Sequence, residues 1–262
     1  MLTRIITFLL CLAVVGSSFS AISAAGAAER PTIVLIHGAW SGPSAWDQTV
    51  ASLTKAGFQT ETPRMDLFGV ASDVATVRAA LDAIAGMKIV VAHSYGGIVA
   101  SNAAYGRSDV LGLVYTAAFV PDAGDSIVTM GTGFEPSAVL AHLAWTGEPF
   151  ASLCFIENGA FRDVFAADLS PKKAEELNSA QQPTSPLILF APSGPVAWHT
   201  LPTWYAVSGS DLLIDPAQQR WMAQRAGSTV VEFDDASHAG GFTHYVARLT
   251  KLIEEAASAT TN

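Results

Sequence analysis

Charged residues are scarce in this chain. Asp, Glu, Lys and Arg make up only 14% of its 262 residues, against about a quarter in a typical soluble domain, whereas half of the residues are hydrophobic. This balance excludes an intrinsically disordered chain, which needs low hydrophobicity and high charge. The formal net charge is −9, and no basic stripe is present to neutralise phosphates. A nucleic-acid partner is therefore not expected.

Cysteine is almost absent. The two cysteines are Cys11 and Cys154, and Cys11 lies in an N-terminal segment that is expected to be removed. Cys154 then has no partner for an internal disulfide. No cysteine or histidine pair has the spacing of a zinc site. We expect no metal, and a fold that relies on a hydrophobic core, which is feasible at this length.

The first 27 residues have the layout of a secretory signal peptide. Arg4 supplies a positive charge, residues 5–15 form an apolar run, and Ala25-Gly26-Ala27 resembles a cleavage site. The alternative is a membrane anchor, but the run is shorter than the ~20 residues that a span needs. We expect a secreted or periplasmic protein without a stable membrane anchor.

Buried strands alternate with amphipathic helices through the rest of the chain. Continuous β-branched runs are typical of strands buried on both faces of a parallel sheet. The predicted strands are residues 32–36, 59–62, 88–92, 112–116, 203–207 and 229–233. The predicted helices are residues 44–56, 70–85, 98–105, 218–226 and 245–257. The pattern predicts one α/β domain over residues 28–262, with a mostly parallel sheet and helices on both faces.

The stretch from about residue 121 to 195 interrupts this alternation. It is rich in Gly, Pro, Phe and Trp, with short helical pieces predicted at residues 136–143 and 171–180. A long segment of this kind inside a compact domain is often a functional lid. We expect a lid inserted after the middle strands, with an irregular part of the core as the alternative.

The segment Ala92-His93-Ser94-Tyr95-Gly96-Gly97 joins a predicted strand to a predicted helix. This context is that of a nucleophile elbow, in which a serine occupies a strained turn between a strand and a helix. The structural alternative is a serine that caps a helix. A hydroxyl is a weak nucleophile without a base and donors for the oxyanion, so Ser94 as nucleophile requires both.

The base is predicted to be His238, because it lies on a loop after the last strand and can reach the carboxyl end of the sheet. The competitor His244 is expected at the start of the last helix. Two further histidines lie in or beside the predicted lid, namely His142 and His199. His37 is expected to support its own loop through a hydrogen bond rather than to act as a base.

The acid is predicted to be Asp211, which directly follows strand 203–207. It completes the chain order serine, acid, histidine, and would hold the imidazole in one tautomer. Asp215 is expected to cap the next helix, with Pro216 at the first helical position. The remaining alternatives for the acid are Asp234 and Asp235.

The oxyanion requires backbone donors near Ser94. The N–H of Tyr95 follows the nucleophile directly, and the loop His37-Gly38-Ala39-Trp40 after the first strand offers the N–H of Ala39. We therefore expect the oxyanion hole to consist of the Ala39 and Tyr95 amides.

These motifs together resemble the α/β-hydrolase superfamily. More narrowly, they are similar to the branch of plant methyl-ester esterases, hydroxynitrile lyases and bacterial pyrethroid-hydrolase-like esterases. The resemblance covers residues 31–256 and implies Ser94, Asp211 and His238 as a triad, with no cofactor. Two positions depart from the pattern. Ala92 replaces the elbow glycine, and Ala239 stands where the lyases carry a catalytic lysine, so a cyanide-releasing lyase is not expected.

The resulting hypothesis is a serine hydrolase that cleaves small to medium, apolar or aryl carboxylic esters through an acyl-enzyme. Hydrolysis of a lactone, amide or thioester stays open, as does a non-catalytic ligand-binding protein on the same scaffold. The expected partner is a small-molecule ester, and the oligomeric state is left open. Aromatic residues that could line an apolar pocket are Trp40, Trp145, Phe150, Phe155 and Trp198, although for any single one of them a place in the core is favoured.

Overall fold

The computed structural model describes residues 30–260. The predicted signal peptide, residues 1–27, therefore lies outside the described residues. Within residues 30–260, no helix is long and apolar enough to cross a membrane.

The described residues form a central sheet of six strands and a separate pair of strands. The strands are β1 (Thr32–Ile36), β2 (Thr60–Glu61), β3 (Lys88–Ser94), β4 (Val110–Ala118), β5 (Leu143–Trp145), β6 (Cys154–Ile156), β7 (Thr203–Ser208) and β8 (Thr229–Phe233). The central sheet has the order β2-β1-β3-β4-β7-β8, and all of its neighbouring strands are parallel. Strands β5 and β6 pair in an antiparallel manner.

Helices connect the strands, as parallel crossovers require. The α-helices are α1 (Asp47–Lys55), α2 (Val70–Ala83), α3 (Gly96–Ala103), α4 (Ile127–Met130), α5 (Asn158–Phe165), α6 (Pro171–Ser179), α7 (Pro216–Arg225), α8 (Gly240–Thr243) and α9 (Val246–Thr260). The 3₁₀ helices are Pro43–Trp46, Ala138–Ala141, Pro186–Leu189 and Ala197–His199. The predicted α/β fold is confirmed.

The core lies on both faces of the central strands. Every residue of β3 is buried, and so is every residue of β7. Burial of each Val, Leu or Ile side chain contributes roughly 1.5–3 kcal/mol. A strand covered on both faces needs no polar alternation, which explains why continuous apolar runs predicted these strands correctly.

The segment between β4 and β7 contains α4, α5, α6 and the pair β5-β6. The predicted helix at residues 136–143 is wrong, because a 3₁₀ helix ends at Ala141 and a strand begins at Leu143. That strand pairs with β6, a contact that local sequence does not reveal. The predicted helix at 171–180 is present as α6.

Candidate active site

Ser94 occupies the turn between β3 and α3. Its φ is +55°, a region that non-glycine residues rarely adopt and that costs of order 1–3 kcal/mol. The register between β3 and β4 shifts at His93/Ser94. A Cβ on Gly97 would overlap the carbonyl oxygen of Phe119, so only glycine lets α3 begin this close to the next strand. The tight packing of these neighbours keeps Ser94 in its strained conformation.

The loop after β1 passes directly against Ser94. A Cβ added to Gly38 would lie 2.7 Å from the Cβ of Ser94. The next two residues in the loop, Ala39 and Trp40, line a cavity that is also lined by Ser94 and Tyr95. Both predicted oxyanion donors therefore belong to residues that line one cavity together with Ser94.

His238 and Asp211 are brought together at the carboxyl end of the sheet, 27 residues apart in the chain. The Nδ1 of His238 lies 2.7 Å from Oδ2 of Asp211, and both side chains are fully buried. Nδ1 is thus the protonated nitrogen that donates to the carboxylate. In the part of the chain that the structure describes, the Nε2 of His238 is buried without a hydrogen-bond partner, so no hydrogen bond joins it to Oγ of Ser94. Such bonds between base and nucleophile are often long in enzymes without bound substrate.

Asp211 accepts hydrogen bonds from three further donors. Its Oδ1 accepts from the amides of Leu213 (2.7 Å) and Ile214 (3.1 Å). Its Oδ2 accepts from Nε2 of Gln219 at 2.8 Å. Together with Nδ1 of His238, these donors fix the orientation of the carboxylate.

Gln219 is a residue that sequence reasoning missed. Its Nε2 donates to Asp211 and also to the carbonyl of Ile214, and its Oε1 accepts from the amide of Ser208. Gln219 thereby ties the end of β7 to the acid. Asp215 instead caps α7 by accepting from the amide of Ala217, as predicted. No local signal separates Gln219 from its neighbours on α7.

The sequence assigns no role to His93 in the elbow segment, and the structure supplies one. Its Nε2 donates to the carbonyl oxygen of His238 at 3.0 Å, and the two rings are 4.5 Å apart. The end of α5 and the residues just after it hold the same loop. The Ala239 amide donates to the Phe165 carbonyl, and the Ser237 hydroxyl donates to Asp168. The loop of His238 is therefore held from both sides.

Tyr95 is anchored through its phenol. The hydroxyl donates to Oδ2 of Asp73 at 2.7 Å, and Oδ1 of Asp73 accepts from the amides of Asp66 and Leu67. Burial raises the pKa of the Asp73 carboxyl above its usual value. This contact holds the residue that follows Ser94 and so the position of its amide.

A cavity of about 360 Å³ opens beside Ser94. Its walls are mostly apolar and include Phe119, Val139, Ile188 and Leu213, as is usual for small-molecule sites. It lies between the sheet and the segment that was predicted to be a lid.

Of the residues predicted to line an apolar pocket, Trp40 lines this cavity, and Trp145, Phe150, Phe155 and Trp198 do not. Trp145 packs on Phe150, whose ring is mostly exposed. Trp198 donates its Nε1 to the carbonyl of Pro121. The lining role considered for these four residues is not found at this cavity, because aromatic content marks a segment and does not give the direction of each side chain.

His37 supports its loop, as predicted. Its Nε2 accepts from the amide of Met65 at 3.1 Å, and its Nδ1 donates to the carbonyl of Gly38. The other histidines lie at the surface. His142 lies 3.6 Å from Glu157, His199 lies 3.0 Å from Asp122, and His244 lies 3.1 Å from Asp168. Among residues 30–260, no group of three His, Cys, Asp or Glu side chains could hold a metal ion.

The buried histidines predict that acid destabilises the fold. Burial lowers the pKa of His37 to about 4 and the pKa of His93 well below its ordinary value of 6.5. The unfolded chain takes up these protons first, so stability that is fully present above pH 6.5 is lost as the pH falls towards 4. We expect the free energy of unfolding in urea to fall by about 2 kcal/mol for His37 alone between pH 7.5 and 5.0.

The variant His37→Gln isolates this contribution. It should reduce the difference in unfolding free energy between pH 7.5 and 5.0 by about 2 kcal/mol. His199→Gln should change that difference much less, because its pair with Asp122 is exposed and exposed ion pairs contribute little. Asp73 acts in the opposite direction, since its raised pKa favours the folded state as the pH falls. Equal pH dependence in wild type and His37→Gln would contradict the prediction.

Residues 33–250 match the Alpha/beta hydrolase family. A carbendazim hydrolyzing esterase of Nocardioides sp. (strain SG-4G) is 37% identical over 110 residues. That alignment covers 37% of this chain and 46% of the esterase, so this chain spans less than half the length of that relative.

Solved structures share the fold over nearly their whole length. A pyrethroid hydrolase from Sphingobium faniae JZ-2 has a TM-score of 0.73 at 22% identity, over 87% of this chain and 98% of that one. A methylesterase protein from Arabidopsis has a TM-score of 0.69 at 18% identity, over 87% and 99%. At these identities the likeness shows the fold. The predicted resemblance to the α/β-hydrolase superfamily is confirmed by the family match.

Proposed function

The chain belongs to the alpha/beta hydrolase family, and we propose that it is a serine esterase whose triad is Ser94, His238 and Asp211. The observation that carries the proposal is the buried imidazole of His238. Asp211 holds its Nδ1 at 2.7 Å, and its Nε2 has no partner within the described residues. Ser94 occupies a strained turn at the same edge of the sheet, and it lines an apolar cavity.

In the proposed mechanism, Oγ of Ser94 attacks the ester carbonyl carbon while its proton passes to Nε2 of His238. The C–O bond of the tetrahedral intermediate then breaks, and His238 returns the proton to the departing alcohol. Water attacks the acyl-enzyme in the same way and releases the carboxylic acid. Asp211 keeps Nδ1 protonated and stabilises the imidazolium in each half-reaction.

The negative charge that develops on the carbonyl oxygen needs donors that are in place before reaction. We assign them to the backbone amides of Ala39 and Tyr95. Gly38 supports this assignment because its close approach brings the first-strand loop against Ser94. The bond from the Tyr95 hydroxyl to Asp73 supports it on the other side, because it holds the residue that carries the second amide.

The proposed substrates are small to medium carboxylic esters with apolar or aryl groups. The cavity of about 360 Å³ and its apolar walls support this class. The relative named as a carbendazim hydrolyzing esterase acts on the compound of that name, and its similarity supports ester hydrolysis here. We also propose a secreted or periplasmic location, on the layout of residues 1–27.

A fluorophosphonate probe tests the proposal. Incubation with the exported wild-type protein should modify Ser94, and peptide mass mapping should locate both the modified residue and the mature N-terminus. The same preparation should hydrolyse p-nitrophenyl esters. A folded protein that neither reacts with the probe nor hydrolyses any ester would instead favour a ligand-binding protein.

A further inference from the structure

The loop that carries one of the proposed oxyanion donors contains a strained residue. Trp40 directly follows Ala39, is buried, and has a φ of +53°. This left-handed conformation is unfavourable for a bulky side chain, and it persists only where the surrounding structure enforces it. Contacts from other parts of the fold must therefore hold the loop in this conformation.

A threonine from the segment between β4 and β7 contacts the strained residue. Oγ1 of Thr184 accepts the backbone N–H of Trp40 at 2.9 Å, across 144 positions of the chain. The same hydroxyl donates to the carbonyl of Gln182 at 3.2 Å. Because its proton is directed towards Gln182, a lone pair of the oxygen is left for the amide of Trp40. Thr184 is only 1% exposed, so the bond is shielded from solvent.

The position of Thr184 is fixed by its own backbone. Its N–H and C=O pair with the C=O and N–H of Cys154, the first residue of β6, each at 2.9 Å. Nearby, Nε2 of Gln182 donates to the carbonyl of Ser41, which follows Trp40 in the loop. Two consecutive residues of the oxyanion loop are thus held by a short segment that is tied in turn to the pair β5-β6.

The amide of Ala39 lies between two peptide groups whose orientations are fixed. A peptide group is planar, and all those of the described residues are trans, so the Ala39 N–H points opposite to the Gly38 carbonyl. The Nδ1 of His37 donates to that carbonyl at 3.0 Å. The next peptide group, between Ala39 and Trp40, is held by Thr184. With both groups held, Ala39 has little freedom to turn its N–H.

We infer that Thr184 is a positioning residue for the oxyanion hole, acting through the Trp40 amide on the direction of the Ala39 N–H. The inference rests on the proposed hydrolysis at Ser94. Without the hydroxyl, the Trp40 N–H is buried without a partner, which is unfavourable, and Trp40 is free to leave its strained conformation. The Ala39 amide then shifts from the place where negative charge develops. Because preorganised donors act on the transition state, the loss should appear in kcat rather than in KM.

Thr184→Val tests the inference, because valine has nearly the shape of threonine and lacks the hydroxyl. We expect kcat for a p-nitrophenyl ester to fall about tenfold with KM unchanged, less than the cost of about 10²–10³-fold for removal of a whole oxyanion donor. Thr184→Ser keeps the acceptor and should have a kcat within about twofold of wild type. Thr184→Ala is a second variant without the hydroxyl, should the valine variant not fold.

An alkyl trifluoromethyl ketone gives a separate readout of the oxyanion hole. Oγ of Ser94 adds to its carbonyl carbon, the serine proton passes to Nε2 of His238, and the former carbonyl oxygen becomes an oxyanion. We expect the inhibition constant of the ketone to rise about tenfold in Thr184→Val, in parallel with the fall in kcat. A purely structural role would lower the Tm and leave both values unchanged per folded enzyme.

Thr203→Val is the matched control. Thr203 is also buried, and its hydroxyl donates to the carbonyl of Ala226. It is the first residue of β7 and so lies at the opposite end of that strand from Asp211. We expect the kcat and the inhibition constant of this variant to equal those of the wild type.

The outcomes separate this inference from the function on which it rests. Wild-type kcat in the folded valine and alanine variants, a change confined to KM, or an equal loss in Thr184→Ser would each overturn the role of the Thr184 hydroxyl and leave the esterase proposal intact. Absence of any Ser94-dependent hydrolysis or ketone binding would overturn both.

Discussion

Replacement of Ser94 by alanine is expected to lower kcat for p-nitrophenyl ester hydrolysis by about 10⁴-fold or more. Alanine removes Oγ, so no acyl-enzyme forms, and only the oxyanion donors and binding remain to accelerate attack by water. Reaction with the fluorophosphonate probe should be lost as well. The measurement is steady-state hydrolysis of one good ester by purified variants at equal concentration.

The fold should survive this change. Alanine relieves none of the backbone strain at φ +55°, but it removes only one oxygen from a residue that is 6% exposed. Ser72→Ala is the matched control: its hydroxyl is exposed and bonds only to the Gly69 carbonyl, so full activity is expected. Undiminished ester hydrolysis by a folded Ser94→Ala variant would refute the proposed mechanism.

The second large effect is expected for Asp211→Asn, with kcat reduced about 10⁴-fold near neutral pH. All four hydrogen bonds to the carboxylate of Asp211 come from donors, including Nδ1 of His238 and Nε2 of Gln219. An asparagine NH₂ group must therefore face another donor. If it faces His238, the imidazole turns to the tautomer with the proton on Nε2, which can no longer accept the serine proton.

The neighbouring carboxylate provides the control. Asp215→Asn keeps an acceptor at the N-cap of α7, since asparagine caps helices about as well as aspartate, and activity should stay within about twofold of wild type. Equal activity of the two variants would show that the carboxylate of Asp211 does not orient His238.

The strands and their order along the chain could be predicted because each strand is a local sequence pattern. Strand β8 was predicted at its observed bounds, and β3 was predicted to within two residues. The turn at Ser94 was recognisable for the same reason: strand, small residues and helix are contiguous in sequence. His238 and Asp211 followed from their places after strands, since parallel strands bring their carboxyl ends to one edge.

The contacts that hold the site together were not predictable in this way. Gln219 bonds to Asp211, His93 bonds to the His238 carbonyl, and Asp168 accepts from Ser237. The last two pairs are separated by 145 and 69 residues. Such pairs depend on how distant elements pack, and the type of a single buried polar residue does not identify its partner.

The amino-acid sequence by itself determined the alternating α/β architecture, the strained serine turn and the candidate acid and base, because each depends on residues within a few positions of one another. Only the tertiary structure decided which aromatic residue of the predicted set reaches the cavity and which groups position the base. Side-chain direction and cavity shape depend on how segments far apart in the chain pack against one another, and no local sequence pattern encodes that packing.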